Sequence, residues 1–120
     1  MGDYTLVSPD RRHEVVIRYV YELPHGDSYH TAMVDSRVFP GHFWGTFFAF
    51  TPDSSFFAGT RMPDRFDRVA VVINLHEPRY FMLPASMERF TFDGSRIISI
   101  SGVAKTAVFR FTGDEEWIRY

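Results

Sequence analysis

The sequence contains no cysteine. This absence excludes disulfide bonds, catalysis by a thiolate and zinc sites built from cysteine. Lys105 is the single lysine, so the positive charge comes almost entirely from arginine. The positive residues do not form runs and the formal net charge is -2, whereas a nucleic-acid-binding domain usually carries a basic patch or stripe. We therefore expect no nucleic-acid partner.

Long apolar runs are also missing from the sequence. No segment approaches the ~20 apolar residues that a membrane-spanning helix requires. The first residues lack the basic segment followed by an apolar one that marks a signal peptide. We therefore expect a cytoplasmic protein without membrane contact.

The motifs of common catalytic and cofactor sites are absent as well. There is no Gly-x-Ser-x-Gly nucleophile elbow and no glycine-rich phosphate loop, because Ser54 stands in a turn sequence and Gly59 stands alone. The histidines do not have the spacing of a zinc motif. We expect that the protein is not an enzyme and that it binds neither a cofactor nor a metal.

The composition is that of one ordered domain. Of the 120 residues, 45% are hydrophobic, 18% aromatic and 23% charged, and a chain of this length can bury a single core. Seven of the 13 phenylalanines lie between Phe39 and Phe57. We predict a single domain over residues 1–120.

A turn of similar chemistry occurs three times in the sequence. Ser8-Pro9-Asp10, Thr51-Pro52-Asp53 and Thr91-Phe92-Asp93-Gly94 combine residues that preset turn angles or bond to nearby amides. They recur at intervals of about 40 residues, a spacing typical of repeated sheet-forming units. The sequence therefore predicts three hairpins that share one type of corner.

The segments around these corners have the composition of β-strands. Val15 and Ile17 alternate with Glu14 and Arg18, which indicates one buried and one solvated face. Strands are predicted at residues 13–21, 29–34, 55–58, 69–75, 79–83, 96–100 and 107–111. We predict an all-β, single-domain antiparallel meander or sandwich built from about three propeller-blade-like hairpin units.

Four stretches of the sequence carry a resemblance to known proteins: SPDRRHEVVIRYVYE, FPGHFWGTFFAFTPDSSFFAG, RVAVVINLHEPRYFML and ERFTFDGSRIISI. A corner followed by an apolar strand resembles the blades of WD-repeat and related β-propellers, but three units are too few to close a ring of about four to eight blades. The whole pattern, over about residues 5 to 111, resembles small bacterial proteins of the "SPDGR" type. These include presumed immunity partners of secreted polymorphic toxins. The resemblance implies a fold and a class of partner, and it brings no functional residues with it.

Three groups of side chains are candidates for contact with a protein partner, because aromatic residues and arginine dominate binding hot spots. They are Met62, Asp64, Arg65, Phe66 and Asp67 in a polar loop, Phe43 and Trp44 in a glycine-bounded corner, and Asp114, Glu115, Glu116 and Trp117 near the C-terminus. Alternatively, the loop is a solvated charge cluster and Trp117 covers the core.

These observations favour an interaction protein. We expect an immunity protein that binds a cognate toxin domain and occludes its active site, for which a rigid β scaffold with exposed loops suffices. Complementary charge accelerates docking, but a net charge of -2 leaves the chemistry of the toxin open. The sequence is also compatible with a homodimer.

Two other functions remain open at the level of sequence. His25, Asp27 and His30 lie close together and suggest a small-ligand-binding β-sandwich or an enzyme that uses this loop, which predicts a pocket with converging polar groups. The other alternative is a propeller-like module that acts only within a dimer or a larger ring.

Overall fold

The computed structural model describes residues 3–22, 28–45, 47–62, 68–83, 90–94, 96–99 and 108–120. These residues form strands, turns and irregular connections, and none of them is helical. The strands are β1 Tyr4–Val7, β2 Glu14–Glu22, β3 Ser28–Val34, β4 Arg37–Val38, β5 His42–Trp44, β6 Ala49–Phe50, β7 Phe56–Met62, β8 Val69–Asn74, β9 Arg79–Met82, β10 Phe90–Asp93, β11 Arg96–Ser99, β12 Val108–Arg110 and β13 Ile118–Arg119. The predicted all-β class is confirmed.

The strands form two antiparallel sheets. The large sheet has the order β1-β2-β3-β5-β7-β8-β9-β13, with β4 attached to β3 and β6 attached to β7. The small sheet consists of β10, β11 and β12 in sequential order. Most neighbouring strands follow one another along the chain, which is the antiparallel meander that the sequence predicts.

Strands β7 and β8 are buried on both faces. Val71 and Ile73 of β8 belong to one apolar core, while Ala70 and Val72 belong to another. Successive side chains of a strand point to opposite faces, so a strand between two apolar layers is apolar at nearly every position. This arrangement explains the unbroken apolar run that begins at Val69.

The first core lies on the face of β7 and β8 that is turned toward β1, β2 and β3. Phe39, which follows β4, joins the two sides, because its ring centroid lies 4.8 Å from that of Tyr80 and 5.1 Å from that of Tyr120. Each such buried ring contributes about 1.5–3 kcal/mol by leaving water. The fully enclosed members are Val15, Ile17, Phe43, Phe57, Val71 and Ile73.

The second core lies on the opposite face of β7 and β8, between the large sheet and the small sheet. Its side chains come from both sheets: Ala58, Ala70, Val72, Phe81, Leu83, Phe90, Ile97 and Phe111. The small sheet therefore covers one face of β7 and β8.

The large sheet curls until strands that are far apart in its order meet. Arg37 in β4 donates a hydrogen bond from Nη1 to the carbonyl of Tyr120, beyond β13, at 3.2 Å. The ring centroids of His13 and His76 lie 5.4 Å apart, although His13 precedes β2 and His76 follows β8. We call this end of the sheet, which carries the turns at residues 8–13, 35–36, 51–56 and 75–78, the turn end.

The first predicted corner is a closed turn at the turn end. The amide of Ser8 donates to the carbonyl of His13 at 2.9 Å, and the Asp10 carboxylate accepts from the Ser8 hydroxyl at 2.6 Å and from the Arg12 amide at 2.9 Å. These two hydrogen bonds hold the pKa of Asp10 below its ordinary value, and the bond from the Ser8 hydroxyl has the larger effect. Arg11 completes the turn in the left-handed region, with φ at 62°.

The second predicted corner repeats this turn bond for bond. The amide of Thr51 donates to the carbonyl of Phe56 at 2.9 Å, and the Asp53 carboxylate accepts from the Thr51 hydroxyl at 2.8 Å and from the Ser55 amide at 3.0 Å. Ser54 has φ at 62°, as Arg11 has in the first corner. The prediction of a shared corner is confirmed for these two hairpins.

The third predicted corner is a different turn, so the prediction is wrong there. Phe92 pairs with Ile97 and Asp93 pairs with Arg96, so the strands of this hairpin remain paired nearly to its tip. In the first two corners a proline follows Ser8 or Thr51, and proline has no N–H with which to extend a strand ladder. Phe92 has an N–H, so the ladder continues to the pair of Asp93 and Arg96.

Candidate partner-binding surface

The end of the large sheet opposite the turn end brings β2, β3, β5 and β7 together. Tyr21 pairs with Tyr29, Tyr29 with Trp44, and His42 with Met62. Residues directly opposite each other in an antiparallel pair project from the same face, as do alternate residues of one strand. These five side chains therefore form a row across one face. We call this end the loop end, and we call Tyr21, Tyr29, His42 and Trp44 the aromatic strip.

A β-bulge in β2 places Tyr21 in the aromatic strip. Tyr19 pairs with His30, but the register shifts and Tyr21 pairs with Tyr29. A bulge places two residues opposite one and re-aims the side chains that follow. Tyr21 consequently faces outward with 59% of its surface exposed, and Val20 at the bulge is 41% exposed.

The rings of the strip support one another. The ring centroids of Tyr21 and Tyr29 lie 6.2 Å apart, and those of Tyr29 and His42 lie 5.2 Å apart, edge to face. The guanidinium carbon of Arg68 lies 5.2 Å from the centre of the Trp44 ring, a cation–π contact worth about 0.5–1 kcal/mol when exposed. The side chains of the aromatic strip therefore hold one another in position through these contacts.

The predicted contact loop begins and ends near this strip. Met62 is the last residue of β7 and pairs with His42, and Arg68, just before β8, covers Trp44. The other predicted contact residues of this loop lie outside the described residues: Asp64, Arg65, Phe66 and Asp67. The structure thus brings Met62 and Trp44, predicted from separate segments, to the same end of the sheet.

Phe43 does not lie on the surface, contrary to the sequence-based expectation. Its side chain is 0% exposed, and its ring centroid lies 5.2 Å from that of Phe39 and 5.6 Å from that of Phe48. The reason is the alternation of β5, in which His42 and Trp44 face outward and Phe43 faces the first core. Phe43 therefore cannot offer its ring to a partner in this structure.

Trp117 covers the second core, as the alternative interpretation of the C-terminal group predicts. Its ring stacks on Phe56 with centroids 6.3 Å apart and meets Phe81 edge to face at 4.9 Å. The guanidinium carbon of Arg79 lies 4.5 Å from its ring centre. Phe56 begins β7 and Met62 ends it, so about 20 Å of strand, at about 3.3 Å per residue, separates Trp117 from the strip.

The acidic residues before Trp117 form a turn of their own. Glu115 accepts hydrogen bonds from the amides of Thr112 and Gly113, both at 2.8 Å. Partial burial raises the pKa of Glu115, but these amides outweigh it and the net shift is downward. Asp114 and Glu116 are exposed. The structure therefore assigns Glu115 a local structural role and does not bring this group to the aromatic strip.

His30, from the alternative ligand-binding loop, is enclosed. Its side chain is 3% exposed and faces the same side of the sheet as Phe43, with which it pairs. Burial lowers its pKa, and a hydrogen bond with the Gly45 backbone opposes that shift only in part. His25 and Asp27 lie outside the described residues. His30 is thus separated by the sheet from the solvent-facing strip.

Several members of these surfaces could not be predicted from the sequence. Tyr21 and Tyr29 lie in predicted strands, but the bulge that turns Tyr21 outward has no sequence signal. At the turn end, His13 contacts both Asp35 and His76. These three residues come from separate turns, so their proximity follows from the curl of the sheet and not from any local motif.

Within the described ranges, no three His, Cys, Asp or Glu side chains converge as a metal-binding group. The same part of the chain contains no helix that could cross a bilayer. Comparison with protein-family models, with curated proteins and with solved structures finds no match for this chain.

Proposed function

We propose that this protein is a cytoplasmic immunity protein, which binds a cognate toxin domain and occludes its active site with the loop end of the large sheet. The observation that carries the proposal is the aromatic strip. Tyrosine, tryptophan and arginine are the residues that dominate protein-protein hot spots, and here Tyr21, Trp44 and Arg68 lie at one end of a single sheet.

The rigidity of the loop end favours binding to another protein. An interface loses affinity when its side chains must be ordered on association, at about 0.5–1.5 kcal/mol for each flexible side chain. The ring contacts of Tyr29 with Tyr21 and His42, and the cover of Arg68 over Trp44, order these side chains in the free protein. The side chains of the aromatic strip therefore need little further ordering when a partner protein binds.

The strip is the centre of the proposed interface rather than all of it. A typical complex buries about 800 Å² on each partner, which is about a tenth of the 7061 Å² accessible surface of this chain. The chain continues from the loop end into residues 23–27 and 63–67. The inhibitor needs no catalytic group, because it acts by covering the toxin.

The test uses the full chain and, as the candidate toxin domain, the C-terminal domain of any secreted protein that a pulldown of the tagged chain recovers. Isothermal titration calorimetry would measure Kd for the parent chain and for the variants Tyr21→Ala and Trp44→Ala. Removal of a hot-spot ring costs about 2 kcal/mol or more, so we expect affinity to fall by about 30-fold. Val38→Ala is the matched control, because Val38 is 68% exposed but lies in β4, near the turn end.

Two results would count against the proposal. If that toxin domain does not bind the parent chain and is not inhibited by it, the function is wrong. If it binds with the same Kd after both strip substitutions, the function stands but the site is elsewhere. Circular dichroism of each variant separates a loss of contact from a loss of fold.

A further inference from the structure

A cavity of about 370 Å³ lies at the turn end, beside the second corner. Pockets for small ligands are usually about 300–1,000 Å³ in volume and mostly apolar, with a few polar groups that fix the orientation of the ligand. The cavity has this size and this composition. Its lining comes from the second corner, from β7 and from the hairpins of the small sheet: Thr51, Pro52, Asp53, Phe56, Gly94 and Phe111.

Two phenylalanine rings form the apolar wall of this cavity. The ring centroids of Phe56 and Phe111 lie 5.1 Å apart, in an edge-to-face contact. Phe111 is 7% exposed, and Phe56 is supported by the stacked ring of Trp117. These contacts hold the wall in position. Aromatic rings attract both other rings and organic cations.

The charged group of the cavity is the carboxylate of Asp53. Its Oδ1 accepts the hydroxyl of Thr51 at 2.8 Å and the amide of Ser55 at 3.0 Å. These hydrogen bonds hold the pKa of Asp53 below its ordinary value, and the bond from the Thr51 hydroxyl has the larger effect. None of the ion pairs among the described residues includes Asp53. The cavity therefore combines an aromatic wall with a negative charge in a fixed position.

The first corner shows that the turn itself does not require this combination. Asp10 accepts the same two hydrogen bonds as Asp53, but it is followed by Arg11 and Arg12, where the second corner has two serines. The depression beside the first corner is lined by both arginines and by no Phe, Tyr or Trp. Of the two corners, only the second therefore places its aspartate beside an aromatic wall and without adjacent arginines.

We propose that this cavity binds a small organic cation, in which an ammonium or amidinium group is attached to an aromatic ring. The cationic group pairs with the carboxylate of Asp53, and the ring packs against Phe56 and Phe111. A neutral ligand of the same shape would cover the carboxylate without pairing it, which is unfavourable. The cavity lies at the opposite end of the large sheet from the aromatic strip, so this proposal does not depend on the proposed function.

The test titrates the ¹⁵N-labelled full chain with phenethylammonium chloride and, as its neutral counterpart, with phenethyl alcohol. A ligand of this size that fits its pocket binds with a Kd of about 10 mM or tighter. We expect the ammonium salt to shift the amide resonances of Asp53 and Gly94 in a saturable way with such a Kd. The alcohol should bind about fivefold more weakly, because it cannot form the ion pair.

Asp53→Asn is the main variant, because the side-chain oxygen of asparagine can still accept both turn bonds while the charge is lost. It should weaken the affinity for the ammonium salt about fivefold and leave the affinity for the alcohol unchanged. Asp10→Asn is the matched control, since it makes the same change in the equivalent turn but outside the cavity, and it should alter neither affinity. Thermal denaturation without ligand checks that both variants fold.

Four results would overturn the proposal. They are equal affinities for the salt and the alcohol, unchanged affinity for the salt after Asp53→Asn, an equal loss of affinity after Asp10→Asn, and no saturable shift of the Gly94 amide.

Discussion

The backbone amide of Asp10 donates a 2.9 Å hydrogen bond to the hydroxyl of Ser54, 44 residues further along the chain. Each residue belongs to one of the two identical corners, so the repeated turns bond to each other directly. Ser54 is 0% exposed whereas Asp10 is exposed, so this bond is partly buried. The contact fixes the β1–β2 hairpin against the β6–β7 hairpin at the turn end.

We predict that Ser54→Ala lowers the free energy of unfolding by about 0.5–1.5 kcal/mol, because it removes a partly buried hydrogen bond from the Asp10 amide. Urea denaturation followed by tryptophan fluorescence measures the change. Arg11→Ala is the matched control, because Arg11 has the same φ of 62° but is exposed. An equal loss in both variants would attribute the effect to backbone strain instead of the hydrogen bond.

Gly59→Ala should destabilise the protein by about 1–3 kcal/mol through overpacking. A Cβ at this position would lie 2.8 Å from Phe48 Cδ1 and 3.0 Å from Phe43 Cδ1. Thermal and urea denaturation would test it. Phe48→Leu in the same chain should recover part of the loss, and strict additivity of the two substitutions would contradict the predicted contact.

The buried His30 should make stability sensitive to mild acid. Burial lowers the pKa of His30 in the folded protein, so its contribution is fully present above the unfolded pKa of about 6.5. It decreases as the pH falls through that value toward the lower folded pKa, because the unfolded chain takes up the proton first. Unfolding free energies measured from pH 7.5 to pH 5 should decline less steeply in His30→Gln, and parallel curves would refute this.

Tyr120 should ionise well above the pH at which a tyrosine ordinarily ionises. Burial raises its pKa to about 12, with Arg37 acting against the shift and Asp35 adding to it. Its contribution to stability is present below the unfolded pKa of about 10 and is lost as the pH rises from there toward 12. Absorbance at 295 nm should show a late phenolate step that disappears in Tyr120→Phe, and persistence of that step would assign it to another residue.

The class of fold could be predicted because its signals are local. Alternation in β2 indicated a buried face with Val15 and Ile17, and the apolar run of β8 indicated a strand. The paired hydroxyl and aspartate at Ser8 and Asp10 defined a turn. Strands of two or three residues, such as β4 and β6, have too few side chains to show a period, and they were missed.

The surfaces could be predicted only in part, because they depend on distant pairing. Trp44 was predicted as a contact residue and faces outward, but the same reasoning placed Phe43 outside, since the facing of a short strand depends on its register. The position of Tyr21 depends on a bulge. The approach of His13 to His76 depends on the curl of the whole sheet, which no sequence window contains.

The double burial of β8 has a consequence for synthesis of the chain. Val72 and Phe81 face the second core. The side chains that cover them there, including Phe111, come from near the C-terminus. A ribosome that has completed β9 has therefore produced an apolar sheet face whose cover is not yet made. Such exposed sheets tend to aggregate, so correct folding of this protein depends on how soon the last forty or so residues emerge.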